Sequence, residues 1–172
     1  MAQEVLVEAE TLIEKVQAVV REYASQRRPF ALVMLIPTEP ESLHSRYTLI
    51  VSAPWLNKHS PREAVSTILT SLLQQLGSTE APEYQQLTRI TIIHTNDPFI
   101  RAITSAFDVT NGEVTIQNRE ASGIFLERAI VLEAHHPDHL SVPKVEGSQR
   151  QGGRKTPGSC EREKRYTHCH GQ

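Results

Sequence analysis

Cysteine, aromatic residues and long apolar runs are all scarce in this chain of 172 residues. The two cysteines, Cys160 and Cys169, lie near the C-terminus, so the first 142 residues have neither a disulfide framework nor a thiol nucleophile. No apolar run approaches the ~18 residues that a membrane-spanning helix needs. The acidic start, MAQEVLVEAE, lacks the basic and apolar regions of a secretory signal. These absences predict a cytoplasmic protein that makes no membrane contact.

The motifs of the common enzyme classes are also missing. The eight glycines form neither a dinucleotide-binding loop nor a nucleotide-phosphate loop. The first 142 residues contain no G-x-S-x-G nucleophile elbow, no H-E-x-x-H helix and no paired-cysteine zinc spacing. These absences exclude most of the usual enzymes, and they predict no cofactor.

Charge divides the chain into two parts. Residues 1–142 contain 11 Lys and Arg against 17 Asp and Glu, whereas residues 143–172 contain 7 against 3, which gives net charges of −6 and +4. Apart from its cysteines, the second part has one valine and one tyrosine as its only sizeable apolar residues, too few to offset the entropy of ordering it. We therefore predict one globular domain over residues 1–142 and a basic, disordered tail over residues 143–172.

Hydrophobic periodicity predicts the first elements of the domain. Apolar residues at helical spacing predict an amphipathic helix over about 4–24. Two runs of branched and apolar residues predict strands over 30–36 and 47–51, paired as a hairpin and either covered on both faces or central in the sheet. A capping box at 60–63 opens a long helix that ends at Gly77. The apolar stripe of this helix consists of Val65, Ile68, Leu69, Leu72, Leu73 and Leu76.

Shorter patterns follow in the second half of the domain. A loop over 78–84 leads to a predicted strand over 87–94 and a short helix that begins after Asp97. Alternating residues around 114–116 and the run 123–134 predict two further strands. The order αββαβαββ predicts an α+β two-layer domain with a mixed sheet of about five strands, an N-terminal amphipathic helix, a second long helix and a short third helix.

The richest polar cluster is His94-Thr95-Asn96-Asp97, where a predicted strand leads into a helix. Ligands collect at such turns in α/β sheets, and a histidine beside a carboxylate can act as a general base. His59 follows the preceding strand, so it would approach His94 and Asp97 if the two strands are parallel neighbours. Asp97 before a proline is equally typical of a helix N-cap, and Asn96 of a turn. The cluster therefore predicts either a structural turn or a catalytic site of His94, Asp97 and His59.

Trp55, the one tryptophan, lies in the loop after the second predicted strand. A loop tryptophan either plugs the end of the core or contacts a partner, and the apolar residues around this one favour the plug. If the loops bind a ligand, the candidate binding residues are Trp55, Thr95 and Asn96.

Two clusters contain residue types that bind transition metals. One comprises His135, His136, Asp138 and His139; the other comprises Cys160, His168, Cys169 and His170. Neighbours on an extended chain rarely share one tight site, and the cysteine spacing is not that of a zinc finger or ribbon. We predict no physiological metal site, and metal binding by either cluster remains open.

The sequence is compatible with three functions. The missing enzyme motifs, the amphipathic first helix and the apolar strands favour a non-enzymatic regulatory or accessory module that contacts a protein partner or another copy of itself. The alternative is a small hydrolase or transferase that uses His94 and Asp97. The basic tail suggests a third function, that of a nucleic-acid accessory protein with weak, non-specific binding.

Overall fold

The computed structural model describes residues 2–39 and 46–140, with side chains from residue 12 onward. Its helices and strands are, in chain order, α1 (Ala2–Ser25), β1 (Leu32–Pro37), β2 (Tyr47–Ser52), α2 (Pro61–Leu76), α3 (Pro82–Gln85), β3 (Leu87–Ile92), α4 (Pro98–Ala106), β4 (Val114–Ala121) and β5 (Ile124–Ala134). This architecture confirms the predicted α+β fold class, and it adds α3, which begins within the predicted loop. The predicted tail, with Cys160, His168, Cys169 and His170, lies outside the described residues.

The five strands form one mixed sheet in the order β3-β2-β1-β5-β4. Central β1 pairs antiparallel with β2 and β5, so the predicted hairpin is present. β2 and β3 are parallel neighbours, the arrangement on which the three-residue catalytic site depends. This pairing places the C-terminal ends of β2 and β3, and the loops that follow them, at the same edge of the sheet.

Apolar cores lie on both faces of the sheet. On one face α1 and α2 pack against Val33 and Leu35 of β1, and on the other face α4 packs against Leu32 and Met34. These four residues are at most 1% exposed, which explains why β1 is a continuous apolar run instead of an alternating one. The sheet and the two long helices form the two layers, and α4 covers part of the second face.

The first helix, α1, is amphipathic as predicted. Its buried side chains recur at helical spacing and include Leu12, Val16, Val19, Val20 and Tyr23. The helix ends where the Arg28 N–H donates to the Tyr23 carbonyl at 2.9 Å and Arg27 takes a left-handed φ of 58°. None of the described helices combines the length and apolarity needed to cross a membrane.

The second long helix, α2, begins and ends at the predicted residues. The Glu63 carboxylate accepts hydrogen bonds from the Ser60 N–H at 2.9 Å and from the Ser60 hydroxyl at 2.8 Å. The Glu63 N–H donates in return to the Ser60 Oγ at 3.4 Å, which completes the capping box. At the other end Gly77 has a φ of 81°, a left-handed conformation that glycine adopts without strain. The capping box fixes the point at which the loop after β2 enters the helix.

These hydrogen bonds predict a pH dependence of the α2 N-terminus. The Ser60 N–H, then the Ser60 hydroxyl, and then the charge of His59 lower the pKa of the Glu63 carboxyl. The stabilisation from this carboxylate is therefore present above the ordinary glutamate pKa and is lost as pH falls through the lowered value. We expect Ser60→Ala to move the pKa of Glu63 back up, measured by NMR titration of its side-chain carbon. An unchanged titration midpoint in Ser60→Ala would contradict the capping arrangement.

β4 and β5 form a long hairpin that extends past the rest of the sheet. β5 pairs with β1 from Ile130 to Ala134, whereas its pairing with β4 continues to Ile124 at the tip. The hairpin reverses through Ser122 and Gly123, which have φ values of 52° and 78° and form a two-residue turn. The tip of the hairpin therefore projects beyond the end of the β1–β5 pairing.

Candidate functional site

The loops after β2 and β3 meet through Asn57 and Thr95. The Asn57 side-chain N–H donates to the Thr95 hydroxyl at 2.7 Å, and the Thr95 backbone N–H donates to the Asn57 Oδ1 at 3.2 Å. Thr95 is 5% exposed, so one amide side chain satisfies two polar groups of a buried residue. The parallel strands therefore do bring the two polar loops together, and Asn57 and Thr95 make the contact. We call Asn57, His59 and His94–Asp97 the polar edge.

The other residues of the cluster hold the turn into α4. The Asp97 carboxylate accepts from the Phe99 N–H at 2.9 Å and is the N-cap of α4. The Asn96 N–H donates to the His94 Nδ1 at 3.1 Å, and the Asn96 side-chain oxygen accepts from Arg101 at 3.2 Å. Each of these contacts fits the structural interpretation, in which the cluster is a turn and a helix cap.

The histidines of the polar edge make no catalytic pair in the described chain. His59 and His94 are both exposed, and no hydrogen bond or ion pair between described residues joins the His94 ring to the Asp97 carboxylate. Because the His94 Nδ1 accepts a backbone N–H, a neutral ring carries its proton on Nε2. A base at Nδ1 would first have to break this contact, which holds the turn.

Trp55 lies in an aromatic cluster at the end of the core. Its ring stacks on Tyr23 with centroids 4.8 Å apart, meets the edge of Phe30 at 5.6 Å, and lies 5.8 Å from the Arg28 guanidinium. The Tyr23 hydroxyl in turn makes a 2.7 Å hydrogen bond with Ser71 of α2. These contacts fit the predicted plug, because the indole joins the end of α1 to the loop before α2.

His135 is clamped between two carboxylates. Its Nδ1 lies 2.9 Å from Asp108, and its Nε2 lies 2.6 Å from Glu133, which is 7% exposed. The second Glu133 oxygen accepts from the Asn111 N–H at 2.9 Å. The clamp attaches the loop between α4 and β4 to the end of β5. Sequence reasoning missed both carboxylates, although Glu133, two residues before His135 at the end of a strand, lies on the same side of it.

His136 and His139 line an open cleft next to this clamp. Their rings lie 5.6 Å apart, and the cleft has a volume of about 520 Å³ with Phe107 and Asp138 also in its walls. In the described part of the chain, no group of three or more histidine, cysteine or acidic residues has an arrangement that could hold a metal ion. Of the three histidines in the first metal-ligand cluster of the sequence, His135 therefore belongs to the clamp, whereas His136 and His139 line the cleft.

Comparisons with known proteins leave the family of this chain open. An α+β fold carries no function by itself, because one fold supports many activities. No family model, no curated protein and no solved structure matches the chain.

Proposed function

We propose that this chain is a non-enzymatic regulatory or accessory module that acts through protein–protein contacts. The observation that carries the proposal is the apolar pair at the hairpin tip, where Ile124 is 49% exposed and Phe125 is 64% exposed. The two side chains point to opposite faces of the hairpin, because successive strand residues alternate, so the larger and more exposed Phe125 presents the apolar surface that a partner can cover. An aromatic side chain of this kind serves as an anchor in a partner's pocket.

The charges around the tip fit a protein partner. Exposed residues of both signs surround the apolar pair: Arg119, Glu120, Glu127 and Arg128. Their charges balance, as at the polar rim of a protein interface. A tip that enters anionic lipid would instead carry an excess of lysine and arginine. The occupant that fits is therefore an apolar pocket of another protein, bordered by polar groups.

The polar edge supports the same proposal. Asn57, Thr95 and Asp97 each make hydrogen bonds that hold a loop or begin a helix. A hydrolase or transferase site would need at least one general acid or base that a second side chain orients. The reactive atom of that acid or base would have to stay available to the substrate. The enzyme alternative rested on this cluster of polar side chains, and their role in local folding accounts for the cluster without catalysis.

The test places a photocrosslinking residue, p-benzoylphenylalanine, at position 125 of the full chain in its own cells. The control is the same residue at Gln117, an exposed position on the same hairpin. We expect a discrete crosslinked protein from position 125 and none from position 117. That protein, once purified, should bind Phe125→Ser at least about tenfold more weakly than wild type, with Gln117→Ser unchanged.

Binding that Phe125→Ser leaves unaltered would contradict the proposal, as would equal crosslinking from both positions. Thermal unfolding of both serine variants serves as the control for folding. We expect both midpoints to match wild type, because each replaced side chain is exposed.

A further inference from the structure

Basic residues collect where α1 ends and α2 begins. They lie just after α1, in the turn before α2 and in the first turn of α2, and all are exposed: Arg27, Arg28, Lys58, His59 and Arg62. We call this surface the basic patch. The Arg28 guanidinium lies over the Trp55 ring, and Trp55 begins the short 3-10 turn that contains Lys58. The end of α1 and the entry to α2 therefore adjoin at Trp55.

One carboxylate, that of Glu63, borders the basic patch, and its hydrogen bonds with Ser60 and then the charge of His59 lower its pKa. No ion pair between described residues involves Arg27, Arg28, Lys58 or Arg62. The nearest acidic residue along the chain, Glu63, is held in the capping box by Ser60. Residues 1–142 carry a net charge of −6, so this surface has the opposite sign to the rest of the domain. A negatively charged partner is complementary to it.

We propose that the basic patch binds an acidic segment of a partner protein, in which aspartate or glutamate side chains pair with Arg28, Lys58 and Arg62. Arginine and carboxylate form strong, charge-assisted hydrogen bonds with matching geometry. This inference rests on the proposed function, since it names the chemistry of a protein partner, but it uses a surface separate from the hairpin tip.

Two observations favour an acidic protein segment over a nucleic acid. Single-stranded nucleic acids bind by stacking bases on exposed aromatic rings. Tyr23 stacks on the Trp55 ring and the Arg28 guanidinium lies 5.8 Å from its centre, so a base would have to compete with these side chains for the indole. A long polyanion would also meet the repulsion of the acidic domain around the patch, whereas a short segment contacts only the local positive charge.

The experiment uses the full chain and a fluorescent glutamate-rich peptide of about ten residues, at about 50 mM salt so that charge pairing is not screened. The patch variant is Lys58→Glu with Arg62→Glu, which leaves the Arg28 contact with Trp55 intact. The matched control is Arg46→Glu with Arg89→Glu, two exposed residues outside the patch and the hairpin, just before β2 and within β3, an equal change in net charge. Peptide anisotropy gives the affinity, and the emission of Trp55 reports binding beside the patch.

We expect the patch variant to bind the peptide at least about tenfold more weakly than the control variant, while wild type and control both show a change in Trp55 emission. The residues 143–172 are the same in all three proteins, so their charge cannot produce this difference. Unfolding midpoints close to wild type show that both variants fold. Equal weakening in both variants would overturn the proposal, and so would equal binding by all three proteins.

Two further arms complete the test. A single-stranded oligonucleotide of equal charge should bind more weakly than the peptide; tighter, patch-dependent binding of the oligonucleotide would overturn the proposal in favour of a nucleic acid. Phe125→Ser should bind the peptide as wild type does. Failure of the hairpin experiment and failure of the patch experiment are therefore separate results.

Discussion

Truncation of Leu72 to alanine is expected to lower the free energy of unfolding by about 2–5 kcal/mol, and the same truncation at Leu69 by clearly less. Leu72 is 1% exposed and lies on the buried line of α2 with Ala64 and Ile68, whereas Leu69 is partly exposed. A cavity of about 10 Å³ already borders Ile68 and Leu72, so truncation of Leu72 to alanine enlarges an existing void. The cost increases with the volume left empty.

Urea unfolding of the two variants measures this difference. Leu69→Ala is a matched control, because it removes the same atoms from the same helix at a position with less burial. From the sequence alone, Leu69 belongs to the apolar stripe with Ile68 and Leu72, and the structure moves it to the edge of that stripe. An equal or larger loss for Leu69→Ala would mean that α2 faces the sheet differently.

Replacement of Asn57 by alanine is expected to cost about 2–4 kcal/mol, because two hydrogen bonds disappear and leave buried groups without partners. The Thr95 hydroxyl and backbone N–H both depend on this amide, and Thr95 is 5% exposed. Asn96→Ala in the same loop is the control. Its side chain is exposed and contacts exposed Arg101, so we expect a loss below about 1 kcal/mol.

Chemical denaturation of the two alanine variants and of the double variant Asn57→Ala/Thr95→Val tests whether the loss of stability in Asn57→Ala comes from the contact with Thr95. Part of the loss should be shared in the double variant, since Thr95→Val removes the hydroxyl that Asn57→Ala leaves unpaired. Fully additive losses would show that Asn57 and Thr95 act independently. A loss for Asn57→Ala no greater than that for Asn96→Ala would contradict the role of this contact in joining the two loops.

Features that act within a few residues were predictable from the sequence. Ser60 and Glu63 meet across one helical turn, Gly77 ends the same helix, and Asp97 caps the helix that begins beside it. Their spacing alone identifies them, because the partners lie within a turn of each other. The helix α3 was not predictable in this way, since four residues show no helical period.

Contacts between distant residues were not predictable, because they depend on strand order. Asn57 and Thr95 are 38 residues apart and meet only because β2 and β3 are parallel neighbours. His135 and Asp108 are 27 residues apart, so a histidine that resembles a metal ligand in the sequence forms a clamp in the fold. Strand order depends on the packing of whole elements, which local patterns do not contain.

The claim that the polar edge serves the fold and not a small ligand is tested most directly by titrating the full chain with nucleotides and small carboxylates while Trp55 emission is recorded. The salt concentration is about 150 mM, so that weak attraction to the basic patch is screened. The comparison variant is Asp97→Asn, which keeps the α4 cap because asparagine and aspartate cap about equally well. We predict that the emission stays flat in both proteins and that their stabilities agree. A saturable change in wild type that Asp97→Asn abolishes, with stability unaltered, would contradict the claim and support a ligand site at His94 and Asp97.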